Sequence, residues 1–129
     1  MPQHISAITL LVPDYDAGIA FYVGKLGFEL IEDRVMSATK RWVLVGPPGS
    51  TETRLLLVKA NGAAQIARIG DQTGGRVALF LTTDDFTRDH AAMTANGVEV
   101  LEAPRQEGYG TVAVFRDPFG NTWDLIEPR

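Results

Sequence analysis

Apolar and polar positions divide this chain into short blocks, and the blocks recur. Residues 5–12 are apolar at nearly every position, with Ser6, Ala7 and Thr9 as small exceptions. Such a run suits a strand covered on both faces. Pro13-Asp14 breaks it, and Asp14 or Asp16 can cap the helix that follows, on which Ala17, Ala20, Phe21 and Gly24 recur at helical spacing. Gly27 stands where a helix C-cap would sit. Residues 28–35 and 41–45 read as a second and a third strand, and Pro47-Pro48-Gly49-Ser50 turns the chain into a fourth, 54–58.

A long connection, 60–74, carries at most a helical turn around 63–67. The pattern then restarts. Residues 76–82 predict a strand, Asp84-Asp85 opens a helix with Phe86, His90, Met93 and Gly97 on one stripe, and 98–101 predicts a strand. A hairpin closes the chain, 109–116 against 121–126, joined by Asp117-Pro118-Phe119-Gly120-Asn121. Those five residues are turn chemistry: Pro118 presets φ, Gly120 accepts positive φ, and Asp117 and Asn121 can bond nearby backbone. Asp124 interrupts the outgoing strand between Trp123 and Leu125, where a pure core strand would be apolar.

The restart is visible in the letters. Leu11-Val12-Pro13-Asp14 precedes Leu26-Gly27-Phe28-Glu29, and 70 positions on Leu81-Thr82-Thr83-Asp84 precedes Asn96-Gly97-Val98-Glu99. Asp14 matches Asp84, Gly27 matches Gly97, and Glu29 matches Glu99. The expected fold is α+β, built from two βαβββ modules in one domain over 1–129: module one 5–59, linker 60–74, module two 75–127.

Composition narrows the classes. A chain of 129 residues with 45% hydrophobic and 22% charged residues is an ordinary globular composition. No apolar run reaches the ~18 residues of a membrane span. The start, Met-Pro-Gln-His, lacks a signal-peptide pattern, so a cytoplasmic location is expected. With no cysteine there is no disulfide and no thiolate metal site. A net charge of −4 without a basic cluster argues against nucleic acid as a partner.

The sequence resembles the vicinal oxygen chelate superfamily, which holds glyoxalase I, bleomycin-resistance proteins and extradiol dioxygenases. The resemblance is carried by Val12-Pro13-Asp14 with Phe21-Tyr22 and Leu26-Gly27-Phe28, by Ala95-Asn96-Gly97-Val98, and by Phe115 to Asn121 with Asp124-Leu125. It implies that the modules form a cup of mixed β-sheet around a cavity, and that the protein is a homodimer. In metal-using members four inward side chains, usually His or Glu, hold one divalent ion. Counted from these motifs, those positions fall on Ala7, Leu56, Arg76 and Asp124. Ala7 and Leu56 cannot ligate, and Arg76 would repel a cation. That leaves Asp124, so the expectation is no metal and no cofactor. His4 lies three residues before Ala7 and points to the other face, and His90 lies on the apolar helical stripe.

The expected cavity is mostly apolar with a few polar groups. Ala7, Thr9, Arg54, Leu56, Arg76, Phe80 and Asp124 are its candidate ligand-binding residues, with Arg76 and Asp124 paired across adjacent strands. Three functions are consistent with it. The favoured one is a metal-independent binder of a small organic molecule, glyoxalase- or bleomycin-resistance-like. The second is a divergent enzyme, a lyase or isomerase with Asp124 as catalytic base, or a glyoxalase or dioxygenase with relocated ligands. The third is an interaction module with a vestigial cup, in which Arg76 and Asp124 only fill space.

Overall fold

A computed structural model describes residues 2–129, which divide between Ile69 and Gly70 into two compact units. The break falls inside the 60–74 connection. The fold is α+β with two mixed sheets.

The first unit runs β1 (Ala7–Val12), α1 (Tyr15–Tyr22), β2 (Glu29–Val35), β3 (Arg41–Gly46), β4 (Arg54–Lys59) and a single helical turn, α2 (Ala63–Ile66). Its sheet has the order β1-β4-β3-β2, with β1 and β4 parallel and the other pairs antiparallel. Alternation puts Leu10, Val12, Val43, Val45, Leu55 and Leu57 on one face, all buried, with Phe21 and Tyr22 of α1 also in the core. Burying each such side chain contributes roughly 1.5–3 kcal/mol before ordering costs. Gly18 lets α1 pack tightly: a Cβ there would sit 3.0 Å from Leu57 Cδ1 and 3.2 Å from Val12 Cγ1. The buried stripe of α1 is Tyr15, Gly18, Phe21 and Tyr22, whereas Ala20 and Gly24 face solvent. The helix is capped by Asp14, whose Oδ1 accepts from the Asp16 N–H at 2.9 Å.

The second unit runs β5 (Leu79–Thr82), α3 (Phe86–Ala95), β6 (Glu99–Val100), β7 (Arg105–Glu107), β8 (Gly110–Arg116) and β9 (Thr122–Pro128). β5 and β9 are parallel, repeating the β1/β4 relationship of the first unit. Phe86, Met93, Ala113, Phe115, Trp123 and Leu125 are buried, and the Phe115 and Trp123 rings stack at 5.6 Å. The Asp85 side chain accepts from the Arg88 N–H and caps α3.

The turn before β9 is organised by Asp117, which is buried. Its carboxylate accepts from the N–H groups of Phe119 (3.0 Å) and Asn121 (2.8 Å) and from the Asn121 side-chain amide (2.7 Å). Gly70 passes so close to this turn that a Cβ would lie 2.0 Å from the Phe119 carbonyl oxygen.

Two parts of the second unit differ from the sequence expectation. β5 begins at Leu79 rather than at position 76. The preceding Gly74 and Gly75 both have positive φ, which breaks an extended path, and the Arg76 carbonyl accepts from the hydroxyls of Thr73 and Thr122 instead of entering the ladder. β7 was not expected at all. It is polar, so it lacks an apolar strand signature, and it pairs with β8 beyond a break at Glu102-Ala103-Pro104 that separates it from β6.

Candidate functional site

In each sheet one face packs on the helix and the other does not. Direct partners in a ladder project to the same face, so the register identifies the residues that share the open side. In the second unit Phe80 is paired with Asp124, and Asp124 with Val114. Two residues along β8, Val112 is paired with Arg105. Phe80, Val114, Asp124 and Arg105 therefore share one face. Phe80 leaves 67% of its surface exposed, which is unusual for a phenylalanine in the middle of a strand.

Asp124 is half-buried, and its Oδ1 is buried with no hydrogen-bond partner. Burial pushes its carboxyl above the usual range; the positive charge of Arg105 opposes that rise and the negative charge of Glu102 adds to it. Arg105 does not bond Asp124. Its Nε donates to Glu102 at 2.9 Å and its Nη1 to Glu107 at 2.7 Å, and Tyr109 bonds it as well. These partners hold the guanidinium firmly charged. The outcome is one underserved carboxyl oxygen beside an apolar ring, with a saturated arginine close by. Such an oxygen can accept a hydrogen bond from a ligand N–H or O–H, or donate one once protonated.

Arg76 does not pair with Asp124. It is exposed, lies in the bend before β5, and forms no ion pair with Asp124 among the described residues. The expected Arg76–Asp124 pair is therefore corrected: Phe80, not Arg76, stands opposite Asp124, and the nearby guanidinium is Arg105. The sequence carried only a weak hint of Arg105, since its polar strand has no apolar pattern. Arg105 and Glu107 alternate at strand spacing just ahead of Tyr109-Gly110, which places both on one face.

In the first unit the open face carries Ala7 opposite Arg54, Thr9 opposite Leu56, and Leu56 opposite Leu44. Trp42 follows by alternation. Arg54 donates from Nη2 to the Ser50 carbonyl at 3.2 Å, while its Nε is buried without a partner. This face is apolar along β3 and β4 with one underserved donor, and at its β2 edge it carries Glu32 opposite Leu44 and Arg34 opposite Trp42.

The positions implied by the resemblance hold Ala7, Leu56, Arg76 and Asp124, and among the described residues no three His, Asp or Glu side chains are grouped to hold a metal. His4 is exposed outside β1. His90 stacks on Phe86 at 5.4 Å within α3, its Nε2 buried and unpartnered.

These features are those of a known family. The chain belongs to the Glyoxalase/Bleomycin resistance protein/Dioxygenase superfamily, whose profile matches residues 4–125. It is 52% identical to an uncharacterized protein of Shewanella frigidimarina over 128 residues, covering 98% of this chain and 95% of that one. Among solved structures it is similar to UcmS2, with a TM-score of 0.83, 29% identity and 98% of each chain covered. It is also similar to TnmS3, an antibiotic binding protein from Streptomyces sp. CB03234, with a TM-score of 0.78, 31% identity and coverage of 99% of this chain and 98% of that chain.

Proposed function

We propose that this protein binds a small organic molecule without a divalent metal, and that Asp124 is the polar anchor of the site. The observation that carries this reading is the buried, unpartnered Oδ1 of Asp124 on a face it shares with Phe80, Val114 and the already engaged Arg105. A buried acceptor without a partner costs free energy in the folded protein, and a ligand that supplies the hydrogen bond recovers it. The likeness to TnmS3, an antibiotic binding protein, supports a ligand of drug size. Ala7, Thr9, Arg54 and Leu56 offer a second apolar surface with a buried donor on the first unit. In this reading the working form is a cytoplasmic homodimer.

Native mass spectrometry of the purified protein, with elemental analysis, tests ligand, metal and subunit number together. Titration with a panel of antibiotics, followed by calorimetry, then measures affinity, and Asp124→Asn is expected to weaken it about tenfold. Turnover of the methylglyoxal–glutathione hemithioacetal, stimulated by nickel or zinc, would instead favour the lyase reading.

A further inference from the structure

We propose a second binding site on the first unit, for a small organic anion with an aromatic or otherwise flat apolar body. It is independent of the Asp124 face. A cleft of about 510 Å³ opens where the turn between β2 and β3 approaches the segment leaving β4, and its lining includes Tyr15, Thr39, Lys40, Lys59, Asn61 and Gln65. That volume lies within the range of small-molecule sites. A second, smaller cleft of about 320 Å³ shares Tyr15, Thr39, Lys40 and Lys59 with it, so the two form one groove.

The charge arrangement is what makes this groove a binding site. Lys40 and Lys59 are the charged residues of the larger cleft, and among the described residues neither has an ion-pair partner. The nearby carboxylates are engaged elsewhere. Asp33 and Asp16 both hold Arg41, at 2.7 and 2.8 Å, and Asp14 caps α1. Arg41 in turn lies over the Tyr15 ring at 5.3 Å. Asp16 and Asp33 thus neutralise Arg41, and Asp14, whose Oδ1 caps α1, is the one carboxylate in the groove's lining against the two lysines, in a chain whose net charge is −4. Two cations converging on a groove in an acidic protein raise the local concentration of anions.

The remaining lining fits the same ligand. Tyr15 is buried at the floor, and Val58 and Ala60 add apolar surface for a flat body. The Gln65 carbonyl oxygen already accepts from the Asn61 N–H at 2.8 Å, which leaves the Gln65 NH2 as a donor. Thr39 and the Asn61 side chain supply further hydrogen-bonding groups. Phosphate and carboxylate head groups share the chemistry these donors recognise.

The test is calorimetric titration of the full chain with phenyl phosphate and, separately, benzoate, at low and at physiological salt. Saturable binding of either supports the site, and their relative affinities identify the preferred head group. Lys40→Gln and Lys59→Gln should each weaken binding roughly two- to fivefold, and the double variant about tenfold, while Lys40→Arg with Lys59→Arg retains it. Binding should weaken as salt rises. Both lysines are exposed, so the variants should melt like the parent, and a melting scan verifies it. The proposal is overturned if neither anion binds up to about 10 mM, if the double Gln variant binds as tightly as the parent, or if Lys25→Gln lowers affinity as much.

Discussion

Arg105 stands on the same sheet face as Asp124 and is its principal opposing charge, yet its own hydrogen bonds go to Glu102 and Glu107. The arginine moderates the carboxyl electrostatically without satisfying it. A site that must bind something gains from this division: one residue is held rigid by its neighbours, and the other keeps an open valence.

Asp124→Asn should stabilise the free protein at neutral pH while weakening ligand binding. Burial raises the folded-state pKa of Asp124 above its unfolded value, so its contribution is favourable below the unfolded pKa and is lost as pH rises through the folded one. At pH 7 the ionised, underserved carboxylate is therefore a cost, and removing its charge recovers about 0.5–1 kcal/mol. Denaturation midpoints at pH 7 and near pH 3 would show it, with the difference shrinking in acid. A clear loss of stability at pH 7 would mean the carboxylate has a partner.

Arg105→Gln should lower stability slightly, since it strips Glu102 and Glu107 of a solvent-screened partner, and denaturation midpoints check the direction. It should also drive the Asp124 carboxyl further upward, because the charge that opposes the rise is gone. Side-chain carboxyl titration by NMR measures that shift directly.

Double-mutant cycles separate the two arginines. Arg76 with Asp124 should couple by less than about 0.3 kcal/mol, as for residues that share no contact. Arg105 with Asp124 should couple measurably and more strongly, through charge alone. Equal coupling in both cycles would contradict the register described above.

Asp117→Ala should be among the most damaging single changes, costing about 2–4 kcal/mol. It leaves the N–H groups of Phe119 and Asn121 without their acceptor, next to the strand that carries Asp124. Chemical denaturation gives the loss, and Asp117→Asn should recover part of it by keeping one acceptor oxygen.

Chelator treatment should leave ligand affinity unchanged, and elemental analysis should find far less than one equivalent of zinc, nickel, manganese or iron per chain. The reason is the ligand count: Asp124 is the single competent side chain among Ala7, Leu56, Arg76 and Asp124. Stoichiometric metal whose removal abolishes binding would sink the metal-independent reading.

Much of this fold was legible from local chemistry. The strand at 54–58, the cap at Asp14, and the turn of Asp117 to Asn121 are set by nearest neighbours in the chain, and each formed as its residues dictate. The internal repeat exposed the module order for the same reason, because similar blocks bury similar faces. The partner of Asp124 was not legible. Positions counted from the family resemblance aligned Arg76 with it, but a register slip of a few residues reassigns the cross-strand neighbour. The register of β5 on β9, Leu79 opposite Trp123, puts Phe80 opposite Asp124 and leaves Arg76 in the bend before the strand. Arg105 came near through a strand too polar to announce itself, held by its ladder to β8. Whether a charge is paired depends on which strands meet and in what register, and only the tertiary structure decided that.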